Sequence, residues 1–425
     1  MTEQGLQSAK STAKNTGLFR TPDGRNMFAT FVLVTTLFLL WGFCNGMIDI
    51  LNKHFQSTLH INKFQSGFVQ SANYLAYFLM AVPAGLLARR FGYKGGIIIG
   101  LSLIVTGALL FVTATQIGTY WAFLTGLFVL AAGLSCLETI ANPYTTVLGP
   151  PASGATRINI AQTFNGVGWI LGPVVGGYFV FGHSAGADAN AGLFIPYLGI
   201  AVLVAILIAI FAFAYVPDVQ AEEEVKTAGG HGKPLWRRWH FTTGVLAQFL
   251  YVAAQSGIFG FFINYVLENN PGLTEGQAAN WLGVFGFGLF MVGRICGSAV
   301  VSFMKPHRAL AIYALICMLL CVVVFWGGDA GMYALLGTFF FMSIMFPTIF
   351  ALGIRGLGEH TKLGASLIVM SIVGGAIAPP LMGHLADISS MRLAFLVPMA
   401  CFGLIAVYGN YWPKLESWDA GSISR

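Results

Sequence analysis

The sequence predicts an all-α membrane protein that crosses the bilayer about twelve times, and three observations carry that expectation. The first is composition: of 425 residues, 56% are hydrophobic and 9% charged, against about 25% charged in a soluble globular protein. So few charges cannot cover a water-facing surface, and the mean hydropathy of +0.74 makes lipid the solvent for much of the outside. The second is that apolar runs recur at the length of a hydrocarbon core, roughly 20 residues. The third is that the cationic residues gather in alternate loops.

The apolar runs place helices near 27–51, 64–88, 95–114, 118–146, 156–182, 192–216, 239–267, 277–303, 308–327, 330–354, 363–386 and 391–412. An even number puts both termini on one side. The tail 1–26 is polar and lacks an apolar leader core, so the first span itself is expected to direct the chain to the membrane. Of the 22 Lys and Arg residues, 18 fall on the side of the termini, among them Lys10, Lys14, Arg89, Arg90, Lys94, Lys226 and Lys233. Lys53, Lys63 and Arg392 fall on the other, and Arg294 lies inside the eighth span. Positive charge marks the cytoplasmic side, so both termini are expected in the cytoplasm of a bacterial cell, with the spans in its inner membrane.

The formal net charge of +6 is explained by this loop bias and does not call for nucleic acid. Cys44, Cys136, Cys296, Cys317, Cys321 and Cys401 lie in apolar runs without CxxC spacing, which points to buried thiols rather than disulfides or metal ligands. Neither a metal nor a cofactor is expected. An HExxH pair, a nucleophile with a base at usable spacing and a phosphate-binding glycine loop are all missing, so an enzyme is not expected. Nothing demands a partner chain, and a monomer in lipid is the default.

Residues 218–238 break the rhythm: they are polar, Gly-rich and charged, and they sit near the middle. They read as a cytoplasmic linker between a half at 27–217 and a half at 239–413, with a second tail at 414–425. The fifth and eleventh spans look equivalent, with Gly168, Gly172, Pro173 and Gly176 in one and Gly374, Gly375, Pro379, Pro380 and Gly383 in the other. Small residues let helices approach closely, and proline bends them. After the second span, Gly85-Leu86-Leu87-Ala88-Arg89-Arg90-Phe91-Gly92-Tyr93-Lys94 resembles the G-x-L-A-x-R-x-G-x-K loop signature of the major facilitator superfamily. Gly92 permits a tight turn, and the cations can engage helix C-terminal carbonyls.

Three ionisable residues lie well inside spans, where a charge costs at least ~2.5–3.5 kcal/mol and is a functional candidate by default. Asp49 shares one helical face with Trp41, Asn45 and Asn52, at spacings of four, four and three. A carboxyl that carries or releases its proton with access to either side is what proton coupling requires. Glu138 stands one turn before Asn142 in the fourth span, with Pro143 next. Carboxylate plus amide suits sugar hydroxyls, which both donate and accept. Arg294, in Gly293-Arg294-Ile295-Cys296-Gly297, needs an anion or carbonyl partner and reads as a structural or gating brace. Neutral polar residues extend the picture: Asn159, Gln162, Asn165 and Trp169 in the fifth span, and Gln248, Tyr251 and Gln255 in the seventh. Amides with aromatic planes fit sugar hydroxyls and C–H faces.

At these residues the chain resembles the fucose–proton symporter family of the major facilitator superfamily. The resemblance runs through residues 136–150 and 159–165, through Ala247-Gln248-Phe249 to Gln255, and through Pro347-Thr348-Ile349-Phe350 with Leu352-Gly353-Ile354. It implies the twelve-helix major facilitator fold, a central site between the halves, and alternating access. It implies that Asp49 is the proton-coupling acid, that Glu138, Gln162 and Asn165 contact the sugar, and that Trp41 and Gln255 line the cavity. Three departures stand out. Gly46, Met47 and Ile48 precede Asp49 where the family is richer in Asn; Phe259 stands where it places Trp; Met345 and Phe346 precede Pro347 where it has Gln-Tyr. The second half of the cavity is thereby more apolar, which leaves the sugar open among fucose, glucose, galactose, mannose and N-acetylglucosamine. The expected function is uptake of a monosaccharide with a proton. Sodium coupling of the same sugar, and efflux of an amphiphilic drug through the Phe259, Phe262, Phe287 and Phe346 surface, are the alternatives.

Overall fold

The computed structural model describes residues 18–20, 25–150, 153–182, 191–217 and 234–421. Most of the first tail (with Lys10 and Lys14), most of the expected linker (218–233) and residues 422–425 lie outside the described residues.

Among these residues, eleven helical runs are long and apolar enough to cross a membrane. One of them, Lys63–Ile117, has 55 residues, more than twice what a bilayer core requires. It breaks at Gly92, whose φ of 70° and ψ of 179° are not helical, so it supplies two spans and the total is twelve. The spans are α1 (Phe28–Leu59), α2 and α3 (the arms of Lys63–Ile117 before and after Gly92), α4 (Tyr120–Val147), α5 (Thr156–Phe181), α6 (Gly192–Phe213), α7 (Trp239–Asn269), α8 (Glu275–Val301), α9 (Pro306–Trp326), α10 (Gly328–Ile354), α11 (Leu363–Ile388) and α12 (Met391–Asp419).

The α2–α3 turn shows why the loop signature has its residues. The positive φ at Gly92 lies where a side chain is disfavoured. Lys94 Nζ then donates to the carbonyls of Ala212 and Ala214, at 2.8 and 3.0 Å. Those carbonyls end α6, where no helical N–H remains to satisfy them. Arg90 instead lies over the ring of Phe91, 5.4 Å from its centre.

Close glycine contacts give both halves the same internal plan. Gly168 and Gly172 of α5 press on the α1 backbone around Phe43 and Gly46; a methyl group at Gly172 would sit 2.7 Å from the Phe43 carbonyl oxygen. Gly374 of α11 presses on the α7 backbone at Phe249 in the same way. The fifth helix of each half thus packs on its first.

Two helices outrun the expected spans. α1 continues past residue 51 to Leu59 because Asn52, Lys53 and Gln56 find partners in the other half. α12 continues to Asp419 because that carboxylate accepts from the backbone N–H groups of Trp239 and His240, at 3.1 and 3.0 Å, capping α7.

The hydrogen bonds and ion pairs that cross between the halves gather at the end remote from both termini. Asn52 Nδ2 donates to Gly260 O at 3.1 Å and Asn264 Nδ2 to Gln56 Oε1 at 2.5 Å. Lys53 pairs with Glu275 at 3.4 Å and Lys63 with Glu268 at 3.6 Å. Asp387 caps the short turn that opens α2, accepting from Lys63 N and Phe64 N at 3.0 and 2.9 Å. The halves are closed against each other at this end.

Candidate functional site

α1 carries the first part of the site. Its glycines at 42 and 46 let α5 approach so closely that a side chain at either would strike backbone of Asn165, Trp169 or Gly172. That contact fixes the rotation of α1 and turns Trp41, Asn45, Asp49 and Asn52 together toward the interior, as their spacing predicts. Asn45, Asp49 and Asn52 are buried.

Asp49 Oδ1 accepts from Gln70 Nε2 of α2 at 2.7 Å. Asp49 Oδ2 is buried and has no hydrogen-bond partner among the described residues. Two turns back along α1, about 12 Å away, Trp41 Nε1 donates to the hydroxyl of Tyr77. Asn45 Nδ2 donates to the same hydroxyl at 3.3 Å and to Trp41 O at 2.9 Å.

Glu138 of α4 meets α1 at this inner level. With Leu37, Phe38, Trp41, Leu137 and Ala141 it lines a small crevice. Its carboxylate has no hydrogen-bond partner among the described residues, and Tyr74 and Tyr77 lie near enough to feel its charge. Gln162 Nε2 donates to Asn142 Oδ1 at 3.1 Å, joining α5 to α4. Asn165 is buried and donates to Phe38 O at 3.2 Å, so in this conformation its amide ties α5 to α1.

The second half presents a different surface. Gln255 is half-buried on α7. One turn on, Phe259 packs in an aromatic group with Phe287, Phe290 and Phe339, and Trp169 of α5 reaches it across the halves at 5.7 Å. Gln248 is fully buried, and neither amide atom has a partner among the described residues. Arg294 lies over Phe290, 5.1 Å from the ring centre, near Tyr251 and with no carboxylate partner among the described residues. A larger cavity of about 610 Å³ lies between Val174–Gly182 and Thr274–Asn280 at the remote end and contains neither carboxylate.

The structure therefore brings Trp41 and Glu138 together at one crevice, with Asn45 tied to Trp41 one turn along α1, Asn142 joined to Gln162, and Asp49 about two turns from Trp41. Sequence reasoning missed what joins them. α2 carries Gln70, Asn73, Tyr74 and Tyr77 at spacings of three, one and three, a polar helical face with no charged member. Gln70 and Asn73 are buried, and Tyr74 lies within the fields of both Asp49 and Glu138.

The model of the Major Facilitator Superfamily matches residues 27–371. The L-fucose-proton symporter of Escherichia coli K12 is 40% identical over 433 residues, covering 95% of this chain and 97% of its own. This chain belongs to the fucose–proton symporter family of the major facilitator superfamily. A glucose/galactose transporter of Brucella abortus biovar 1 is 37% identical, covering 96% of this chain and 97% of its own. A solved structure of the transporter FucP in the outward conformation is 39% identical, covers 91% of this chain and 99% of that one, and superposes with a TM-score of 0.66. A bacterial Spinster homologue, at 13% identity and a TM-score of 0.75 over 93% of this chain and 99% of that one, shares the fold. The expected twelve-helix fold and family thus stand.

Proposed function

We propose that the protein takes up a monosaccharide by proton symport, with Asp49 as the proton-coupling acid and Glu138, Asn142, Gln162, Asn165, Trp41, Asn45, Gln255 and Phe259 around the sugar. The observation that carries the reading is Asp49 itself: a carboxyl at the junction of the halves, held by one amide and otherwise without a partner among the described residues. A group so placed is tolerated when neutral and costly when charged. Its protonation can therefore decide which arrangement of the halves is populated. Names of relatives support the substrate class, since two are called a fucose–proton symporter and a glucose/galactose transporter.

In this mechanism a proton and a sugar enter while the remote end is open. Glu138 and the amides take the hydroxyls, and Trp41 offers its face to the ring C–H groups. Loading shifts the population toward closure at that end, and release follows on the other side. Arg90, Gly92 and Lys94 hold the terminal-end framework, and Arg294 braces the second half. The charge bias of the loops supports both termini in the cytoplasm and the spans in a bacterial inner membrane. We read 27–217 and 239–413 as the two halves, 218–238 as their linker, 1–26 and 414–425 as cytoplasmic tails, and the working unit as a monomer in lipid.

The test is uptake of a labelled sugar into proteoliposomes with and without an imposed pH gradient, with a panel of sugars as competitors. Accumulation driven by the gradient and collapsed by a protonophore is expected. Uptake that needs sodium and ignores the pH gradient at clamped voltage would sink the proton reading.

A further inference from the structure

Asp49 is covered by the other half of the molecule. The Gly260 carbonyl of α7 accepts a hydrogen bond from Asn52 Nδ2 at 3.1 Å, one turn along α1 from the carboxyl. A methyl group at Gly260 would sit 2.8 Å from Asn52 Nδ2, 3.2 Å from Gln70 Cγ and 3.3 Å from Gln70 Nε2. Gln70 Nε2 is the atom that donates to Asp49 Oδ1. The backbone of α7 thus rests on the amide that holds the carboxyl, and closure at the remote end shares its atoms with the hydrogen bond of Asp49.

The charges around this joint are few. Lys53 is paired with Glu275 and Lys63 with Glu268, while Asp387 caps the start of α2. Tyr74 of α2 lies near enough to feel the charges of both Asp49 and Glu138 of α4. His54, further along α1, is buried beside Phe181 with both ring nitrogens unpartnered among the described residues. Gly260 and Asn264, which α7 brings to this contact, carry no charge. An ionised Asp49 beneath α7 would hold one hydrogen bond and no cation, an arrangement that burial penalises heavily.

We propose that Gln70 and Gly260 form the joint through which proton loading of Asp49 permits the remote end to close. Gln70 is a positioning residue that carries the state of the carboxyl to the face that α7 must meet. Gly260 is the seat: its lack of a side chain lets α7 reach that face. The inference rests on the proton-symport reading above and deepens it.

The test uses full-length protein in proteoliposomes. The exposed Cys296 is replaced by serine, and Asn264→Cys reports opening, because position 264 is buried against Gln56 when the end is closed. Labelling by an impermeant maleimide, taken at each pH relative to labelling of the denatured protein so that ionisation of the thiol cancels, is expected to rise with pH in this background and to lose its pH dependence with Asp49→Asn. Gly260→Val is expected to raise labelling about tenfold and abolish gradient-driven accumulation while sugar still binds. Gly260→Ala, whose methyl meets the Asn52 amide and the Gln70 side chain, gives a smaller change of the same sign and serves if the valine variant fails to fold. Gln70→Leu is expected to move the midpoint of the labelling profile by about one pH unit, the scale of one hydrogen bond to a charged group. Labelling that ignores pH in the Asp49 background, or that Gly260→Val leaves unchanged, overturns the joint. Absence of gradient-driven uptake by the unmodified protein sinks the symport reading instead, so the two failures are distinguishable.

Discussion

Asp49→Asn should separate coupling from transport. The amide is close in size and shape to the carboxyl, its Oδ1 can still accept from Gln70 Nε2, and its Nδ2 takes a place where Oδ2 already has no partner among the described residues. Loss of stability should therefore stay within about 1 kcal/mol, the scale of one neutral hydrogen bond. Loss of driving force is far larger. A proton falling through one pH unit releases about 1.4 kcal/mol, and each 100 mV of membrane potential adds about 2.3 kcal/mol per charge. The total of about 3.7 kcal/mol sustains a sugar gradient of roughly 500-fold at one proton per sugar. With asparagine that ratio should fall to one, while exchange of labelled for unlabelled sugar continues, because exchange needs the sugar site and the rocking motion but no net proton movement. The assay is accumulation and counterflow on the same vesicle preparation. A variant that still concentrates sugar refutes the role of Asp49; one that loses counterflow too shows that the carboxylate also serves the sugar site or the rocking step.

Glu138→Gln should weaken sugar binding about 10- to 100-fold, since a charged acceptor to a hydroxyl contributes about 1.5–3 kcal/mol; calorimetric titration checks it, and unchanged affinity removes Glu138 from the site. Arg157→Met should cost about 3 kcal/mol or more and lower the melting temperature in detergent. Its buried guanidinium serves five acceptors, namely the carbonyls of Leu18, Thr145, Thr146 and Pro150 and the Ser153 hydroxyl, so an unchanged melt would mean that the clamp does not hold the α4–α5 connection. Asp419→Ala should cost about 2 kcal/mol, because it uncaps α7 and removes the partner of His240 at 2.6 Å; limited proteolysis of the C-terminal end reads the loosening.

The spans were legible because their cause is local. A hydrocarbon slab requires a fixed length of apolar helix wherever it is crossed, so composition and loop charge suffice to locate the runs. The Gly92 turn was legible for a similar reason, since one residue type relieves one backbone conformation. Arg157 was not. In the sequence it is one more cation on the positive side, and only folding brings the carbonyls of Leu18, Thr145 and Pro150 around it. The extra turns of α1 and α12 were missed on the same ground, since polar residues end an apolar run unless something outside the run satisfies them. Here the other half accepts from Asn52 Nδ2 and donates to Gln56 Oε1, and the start of α7 donates to Asp419.

The carboxylates and amides of α1, α4 and α5 stood out because each is expensive in lipid. The α2 face of Gln70, Asn73, Tyr74 and Tyr77 did not, because no member of it is charged at neutral pH and two are aromatic. Yet this face gives the α1 residues of the site their neighbours: Gln70 holds Asp49, and Tyr77 holds Trp41 and Asn45. Cost identifies the groups that must change state, whereas the groups that report the change are cheap and leave little trace in a hydropathy pattern. The same holds for Gly260, whose importance lies in a missing side chain. A carrier must fit at least two arrangements of its halves, and the residues that select between them are those in contact in one arrangement and apart in the other. Such residues cannot be large or charged without favouring one state permanently, so amides and glycines are the expected materials of the joint, and their anonymity in the sequence follows from the task.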